Sequence, residues 1–255
     1  MTEQSSSPDA DRWADFRIIA HRGASAVAPE NTLVAISRAA DAGARSVELD
    51  VMLSADGVPV IIHDTDLKRT TNGKGDVAAA SYQDLAQLDA GSWFGREFTG
   101  EKIPTLADAV ALIRDRKMAL NLEIKPFPGE DRATAARSIE LLDDAWPDDS
   151  NLVLSSASIA ALEAVRDAAP QRRRGLIAKI PPVDWRDVLA DLGCVSVHCA
   201  ASSATPSMVE EVHGAGFRLL AWTVNDPSKA ATLFKYGVDG IFTDDPALMI
   251  AQFGA

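Results

Sequence analysis

Short apolar runs alternate with stretches of helical periodicity along almost the whole chain. The runs occupy residues 17–20, 46–51, 119–124, 152–154, 175–178, 195–197, 218–223 and 240–243, and they have the length and aliphatic content of strands buried on both faces. Residues 31–42, 105–116, 131–145, 158–168, 184–192, 206–215, 227–236 and 246–253 carry apolar positions at helical spacing, often opening on a capping residue and ending near glycine. Strands alternating with helices in this way predict a parallel α/β sheet. A doubly wound open sheet is the competing arrangement. Eight units in 255 residues, with no G-x-G-x-x-G after the first strand, favour closure into a (β/α)8 TIM barrel.

One segment breaks the rhythm. A further β-like run at 58–62 follows the turn Ala55-Asp56-Gly57, and Asp-Gly between two β runs signals a hairpin. The pattern predicts a hairpin over 46–63 whose first arm is the second barrel strand, with His63 opposite Glu48. Residues 65–104, rich in Gly, Thr, Asp and aromatic residues, read as a small insertion, so the departure from the barrel pattern covers about 52–104. It falls in the second β/α unit, on the C-terminal face where barrel active sites are built. Residues 1–15 are polar and acidic and read as a flexible tail, leaving 16–255 as one barrel domain.

Charge narrows the possible ligands. With 37 acidic and 25 basic residues the formal net charge is −12, which argues against nucleic-acid binding. An anionic substrate would need a local cluster of positive charge or a bound metal ion. Cys194 and Cys199 make neither a disulfide framework nor a zinc site, and they read as small buried side chains on a strand and its following loop. The N-terminal residues lack the basic and apolar segments of a secretory signal, and no stretch approaches the ~20 apolar residues of a membrane span. The expectation is a cytoplasmic protein without stable membrane association.

The polar residues at the strand ends carry the chemistry. His21 and Arg22 follow the first strand. Glu48 and Asp50 alternate with Val47, Leu49 and Val51, so both carboxylates share one face. Glu123 and Lys125 stand in the same relation on the third barrel strand, and His63 ends the return arm of the hairpin. A barrel strand is covered on both sides, so charged residues within it must be paired, ligated or at the rim. Three carboxylates without a cysteine suit a hard divalent cation, Mg²⁺ or Ca²⁺. That ion with Arg22 and Lys125 makes a cationic pocket fit for a phosphate, and two histidines supply a base and an acid. His198, at the end of the sixth barrel strand, is a weaker candidate for the rim, and His213 reads as a helix-surface residue.

The ordered set His21-Arg22-Gly23, Pro29-Glu30-Asn31-Thr32, Glu48-x-Asp50, His63-Asp64, Leu67-x-Arg69-Thr70-Thr71-Asn72-Gly73, Glu123-Ile124-Lys125-Pro126 and Trp222-Thr223-Val224-Asn225 resembles the glycerophosphodiester phosphodiesterase family, most closely its bacterial cytosolic branch. The resemblance runs from about residue 17 to 250. It implies a distorted (β/α)8 barrel with a small insertion in the second β/α unit. It also implies metal-dependent hydrolysis of glycerophosphodiesters, such as glycerophosphocholine or glycerophosphoethanolamine, to sn-glycerol 3-phosphate and an alcohol. By that resemblance His21 is the first base and His63 the acid. Glu48, Asp50 and Glu123 hold the metal, Arg22 and Lys125 bind phosphate, and Trp222 lines the glycerol side. In the Pro29–Thr32 motif, Asn31 or Thr32 reads as a helix cap and Glu30 as a loop residue.

Two other functions compete. A phospholipase D-type phosphodiesterase acting on lysolipids would want an apolar rim, for which Trp93, Phe94 and Phe98 are available; they read instead as packing of the insertion. A non-catalytic phosphodiester binder would be expected to lack a histidine or a carboxylate, and none is missing. A monomer and a homodimer are both compatible with the sequence.

Overall fold

A computed structural model describes residues 13–146 and 151–254. Its strands are β1 (Ile18–His21), β2 (Ser46–Leu53), β3 (Pro59–Ile61), β4 (Ala119–Ile124), β5 (Leu152–Ser156), β6 (Arg173–Ala178), β7 (Ser196–Ala200), β8 (Arg218–Trp222) and β9 (Gly240–Thr243). The helices are α1 (Leu33–Asp41), α2 (Tyr82–Leu85), α3 (Leu106–Asp115), α4 (Asp131–Ala145), α5 (Ile159–Ala168), α6 (Trp185–Leu192), α7 (Pro206–Gly214), α8 (Pro227–Tyr236) and α9 (Pro246–Phe253). Parallel pairing runs β1-β9-β8-β7-β6-β5-β4-β2 and closes through β1–β2, giving a barrel with helices between the strands. β3 pairs antiparallel with β2 and lies outside the closed ring.

The period-two pattern of the strands sorts the side chains. In β2 all eight residues are buried. Val47, Leu49 and Val51 join Leu120, Leu122 and Leu154 in the layer shared with the helices, which leaves Ser46, Glu48 and Asp50 to the barrel interior. The lower interior is apolar and filled by Phe16, Ile19, Ala119, Val153, Leu220 and Phe242. Most of the helices start on side-chain caps: Thr32, Ser158, Thr205 and Asp226 each accept a backbone N–H, and Thr105 with Asp108 forms a reciprocal capping box.

The segment expected as a flexible tail is only partly within view, since residues 1–12 lie outside the described residues. Ala14–Phe16 forms a 3-10 turn, and Phe16 is fully buried as the plug of the barrel bottom, with Trp13 against it at 5.5 Å between ring centroids. The hairpin register also differs from expectation. Val51 pairs with Ile61 and Leu53 with Pro59, so the turn centres on Asp56 and His63 projects opposite Leu49 rather than Glu48. The cause is a three-residue loop between Ser54 and Val58. It is closed by two backbone hydrogen bonds and by Ser54 Oγ donating to Asp56 Oδ1 at 2.6 Å.

The chain from 64 to 104 folds over the rim around its own small core, in which Leu67, Val77, Leu85, Ala90 and Ile103 pack on Met52, Val60 and Ile62 of the hairpin. Phe98 is buried against Ala28 and Ala35, with Phe94 edge-on to it, and Trp93 is 40% exposed. Cys194 lies in the turn before β7, not on a strand or in its following loop, and Cys199 lies within β7; both are buried, and burial pushes both thiols up to about 12.

Candidate active site

Strand register assembles the acidic cluster. β1 sets His21 beside Glu48, and β4 sets Asn121 beside Glu48 and Glu123 beside Asp50. One oxygen from each of Glu48, Asp50 and Glu123 falls within 4.8 Å of the others. Glu48 and Asp50 are buried, yet Glu48 Oε1 and Asp50 Oδ1 have no hydrogen-bond partner. Buried carboxylate oxygens without donors are costly. Burial, then repulsion from Asp50 and Glu123, drives the Glu48 carboxyl well above its usual range. Burial and Asp50 hold Glu123 at about 7. Burial would also raise Asp50, but Arg22, His63, Lys125 and the Asn31 amide outweigh it and keep it lowered. Such an oxygen-only, charge-strained set suits a divalent hard cation, which would satisfy the orphaned oxygens.

The cations come from the same rim. Arg22 has φ +57 and is followed by Gly23 at φ +86. A Cβ on Gly23 would lie 2.6 Å from the carbonyl carbon of Ala35, so only glycine lets this loop seat on the first turn of α1. The resulting turn points the Arg22 N–H at Glu48 Oε2, 3.0 Å away, and its guanidinium at Glu30 Oε1 (2.8 Å) and Asp50 Oδ2 (3.3 Å). Lys125 Nζ lies 3.9 Å from Asp50 Oδ1 and against His63 Nε2.

Each rim histidine rests on a carboxylate. His21 Nδ1 is 2.6 Å from Asp244 Oδ1, and Asp244 is also held by Ser25 Oγ and Asn225 Nδ2. Burial would raise Asp244, but its bonds to His21, Asn225 and Ser25 bring it down to about 2. His63 Nδ1 is 2.5 Å from Asp64 Oδ1. Burial lowers the His63 pKa, with Arg22 and Lys125 adding to it and Asp50 and Asp64 opposing. With each Nδ1 engaged, Nε2 of His21 is the ring atom left to the cavity, while Nε2 of His63 meets Lys125 Nζ.

His21, Arg22, Glu48, Glu123, Lys125 and Trp222 border one cavity of about 200 Å³, and His63 joins them at its edge. His198 also borders it but lies mid-strand in β7, fully buried below the rim where the sequence had placed it. Its ring contacts Ser196 Oγ at 2.9 Å and fits because residue 175 is glycine, where a Cβ would lie 2.6 Å from Nε2. Burial pushes its pKa down to about 3, so it is neutral. Trp222 donates its indole N–H to the His198 carbonyl at 3.1 Å. His213 lies on α7 and bonds Asp239, away from this cavity.

Several participants were not singled out from the sequence. Asp244 has no local signal, being 223 residues from His21. Of the two residues that read as the cap, Thr32 caps α1, whereas the contact of Asn31 was not foreseen: at φ +58 it binds Asp50 through its side-chain amide (2.8 Å) and accepts the Asp50 N–H (3.3 Å). Glu30 bridges Arg22 and Arg69.

Comparison with known proteins gives one answer. Residues 21–248 match the glycerophosphoryl diester phosphodiesterase family. A glycerophosphodiester phosphodiesterase of Caldanaerobacter subterraneus subsp. tengcongensis is 36% identical over 91% of this chain and 96% of its own length. A phosphodiesterase of Oleispira antarctica, solved in complex with the product sn-glycerol-3-phosphate, superposes with a TM-score of 0.93 at 40% identity, covering 96% of this chain and 99% of that one. The Agrobacterium tumefaciens glycerophosphodiester phosphodiesterase superposes with a TM-score of 0.78 at 31% identity, over 92% of this chain and 99% of that one. Among the described residues no helix is long and apolar enough to cross a membrane. The chain is an enzyme, a phosphoric diester hydrolase, and it belongs to the glycerophosphoryl diester phosphodiesterase family.

Proposed function

We propose that this enzyme hydrolyses soluble glycerophosphodiesters, glycerophosphocholine among them, to sn-glycerol 3-phosphate and an alcohol. The observation that carries the reading is the pairing of two histidines, each anchored at Nδ1 by its own aspartate, around a cavity walled by a metal-competent carboxylate cluster. The Oleispira relative holds that same product.

Glu48, Asp50 and Glu123 would hold one divalent cation, Mg²⁺ or Ca²⁺, whose positive charge stabilises the non-bridging phosphoryl oxygens. Arg22 and Lys125, both beside Asp50, bind the phosphate next to that cation. His21 Nε2 takes the proton of the nucleophile, either the glycerol 2-hydroxyl, which gives a cyclic phosphate opened by water, or water itself. Asp244 stabilises the imidazolium that forms. His63 Nε2 gives a proton to the departing alkoxide. Burial, and after it Arg22 and Lys125, disfavours that proton in the free enzyme, and an arriving phosphodiester anion offsets the charge of the two cations. Trp222 forms the glycerol wall.

Release of sn-glycerol 3-phosphate from glycerophosphocholine, measured with Mg²⁺, with Ca²⁺ and with chelator, tests the reading. Metal-dependent release that disappears in Glu48→Ala supports it. Cleavage of a lysolipid with none of glycerophosphocholine would overturn the choice of substrate.

A further inference from the structure

The Leu67–Gly73 motif has no part in the chemistry just described, yet it builds a fixed platform. Leu67 is buried in the insertion core, and its carbonyl accepts Thr71 Oγ1 at 2.5 Å. Thr71 Oγ1 in turn accepts the Gly73 N–H at 2.9 Å. Asn72 exchanges hydrogen bonds with the backbone of Asp89, as its N–H donates to the Asp89 carbonyl at 3.0 Å and its side-chain oxygen accepts the Asp89 N–H at 2.9 Å. This platform presents Arg69. The guanidinium binds Glu30 through two nitrogens, at 2.6 and 2.8 Å, and Asp64 Oδ2 through Nε at 2.5 Å. The other oxygen of Asp64 holds His63 Nδ1. The other end of the chain is Arg22, bound to Glu30.

We propose that Arg69 is a positioning residue for His63: it clamps Asp64 from the insertion and Glu30 from the loop after β1, and so fixes the imidazole that protonates the leaving alcohol. The inference rests on the acid role given to His63 above. An isolated exposed ion pair contributes little, but three directed bonds from one planar fork set an orientation as well as a charge. Asp64 can rotate about its own side chain unless its second oxygen is held, and Arg69 holds it. The same fork ties the phosphate-binding Arg22, through Glu30, to the histidine. The strong lowering of the Asp64 pKa, led by its bond to Arg69, agrees with a fully ionised clamp.

The test contrasts leaving groups. Choline leaves as an alcohol and needs a proton; p-nitrophenol leaves as a stable anion and does not. In Arg69→Met, kcat on glycerophosphocholine should fall about 10²-fold, the lower range of an acid contribution, with KM nearly unchanged. On glycerophospho-p-nitrophenol the same variant should stay within about threefold of wild type, because the acid term worth that 10²-fold is absent there. The double variant His63→Ala, Arg69→Met should be no slower on glycerophosphocholine than His63→Ala alone. Arg69→Lys keeps the charge but not the fork, and it serves if the methionine variant does not fold; it should show the same leaving-group-selective loss. Equal losses on both substrates, or additive losses in the double variant, would overturn the role of Arg69 while leaving the hydrolase reading intact. A wild-type enzyme that released no sn-glycerol 3-phosphate at all would overturn that reading, and this inference with it.

Discussion

His21 Nδ1 and Asp244 Oδ1 stand 2.6 Å apart although 223 residues separate them in the chain. The contact fixes which imidazole nitrogen faces the cavity, and with His21 as the proposed base it would give the developing imidazolium a counter-charge. Asp244→Asn keeps the shape and removes the charge. Its kcat on glycerophosphocholine should drop by about 10²–10⁴-fold with little change in KM. Steady-state kinetics on the folded variant checks this; an unchanged kcat would remove His21 from the proton-transfer path.

The acidic cluster makes stability depend on pH and metal together. Glu123 is raised to about 7, and Glu48 is raised too, chiefly by burial. A carboxyl whose folded pKa exceeds its unfolded value favours the fold below the unfolded pKa and loses that contribution as pH rises through the folded one. Metal-free enzyme should therefore lose stability as pH climbs from about 4.5 to about 7, the ordinary and the raised Glu123 values. A divalent cation needs the ionised carboxylates and should reverse the loss. Melting curves with and without Mg²⁺ or Ca²⁺ should show a small rise in Tm at pH 5.5 and a large one at pH 8. An equal rise at both pH values would exclude these carboxylates as ligands.

His198 gives a slope of opposite sense. Its folded pKa of about 3 lies below the ordinary value of 6.5, so the unfolded chain takes up a proton that the fold refuses. The stability due to the neutral ring is complete above about 6.5 and is lost as pH falls toward about 3. Between pH 6.5 and 5 the loss should be roughly 1–2 kcal/mol, at about 1.4 kcal/mol per unit. Denaturant unfolding of wild type and His198→Asn at pH 5 and 8 isolates it, and parallel pH dependences would refute it.

Gly23→Ala should damage both fold and site. The new methyl meets the Ala35 backbone at 2.6 Å, at a φ of +86 that side chains avoid. The cost expected from backbone strain is about 1–3 kcal/mol, and the displaced turn carries Arg22 with it. Urea unfolding together with KM for glycerophosphocholine would show both effects.

The barrel was readable because its information is local. Strand length and apolar content recur in every unit and helix caps in most, and closure follows from their number. The carboxylates were readable for a similar reason: Glu48 and Asp50 differ by the strand period, and so do Glu123 and Lys125. What failed to show was whatever depends on the third dimension. The His63 register slipped by one because the loop closed by Ser54 and Val58 has three residues, a detail decided by a side-chain bond to Asp56. Asp244 sits in an ordinary Thr-Asp-Asp-Pro turn that reads as a helix start, and Asp245 does cap α9. Glu30 is the loop residue that the sequence predicts, but its bridge from Arg22 to Arg69 did not show, because Arg69 comes from the distant insertion. His198 looked like a rim residue because nothing in the sequence reveals that Gly175 hollows a place for it across the strand pair.

β1 is hydrogen-bonded on one side to β2 and on the other to β9, the last strand of the chain. During synthesis, His21 therefore emerges 223 residues before Asp244. Until β9 arrives, the ring is open, Phe242 is missing from the apolar bottom, and no carboxylate stands behind the histidine. A fragment that ends before β9 cannot close the ring, and it lacks the Asp244 carboxylate behind His21. Such late closure favours slow maturation, since the pairing of β1 with β9 spans most of the chain.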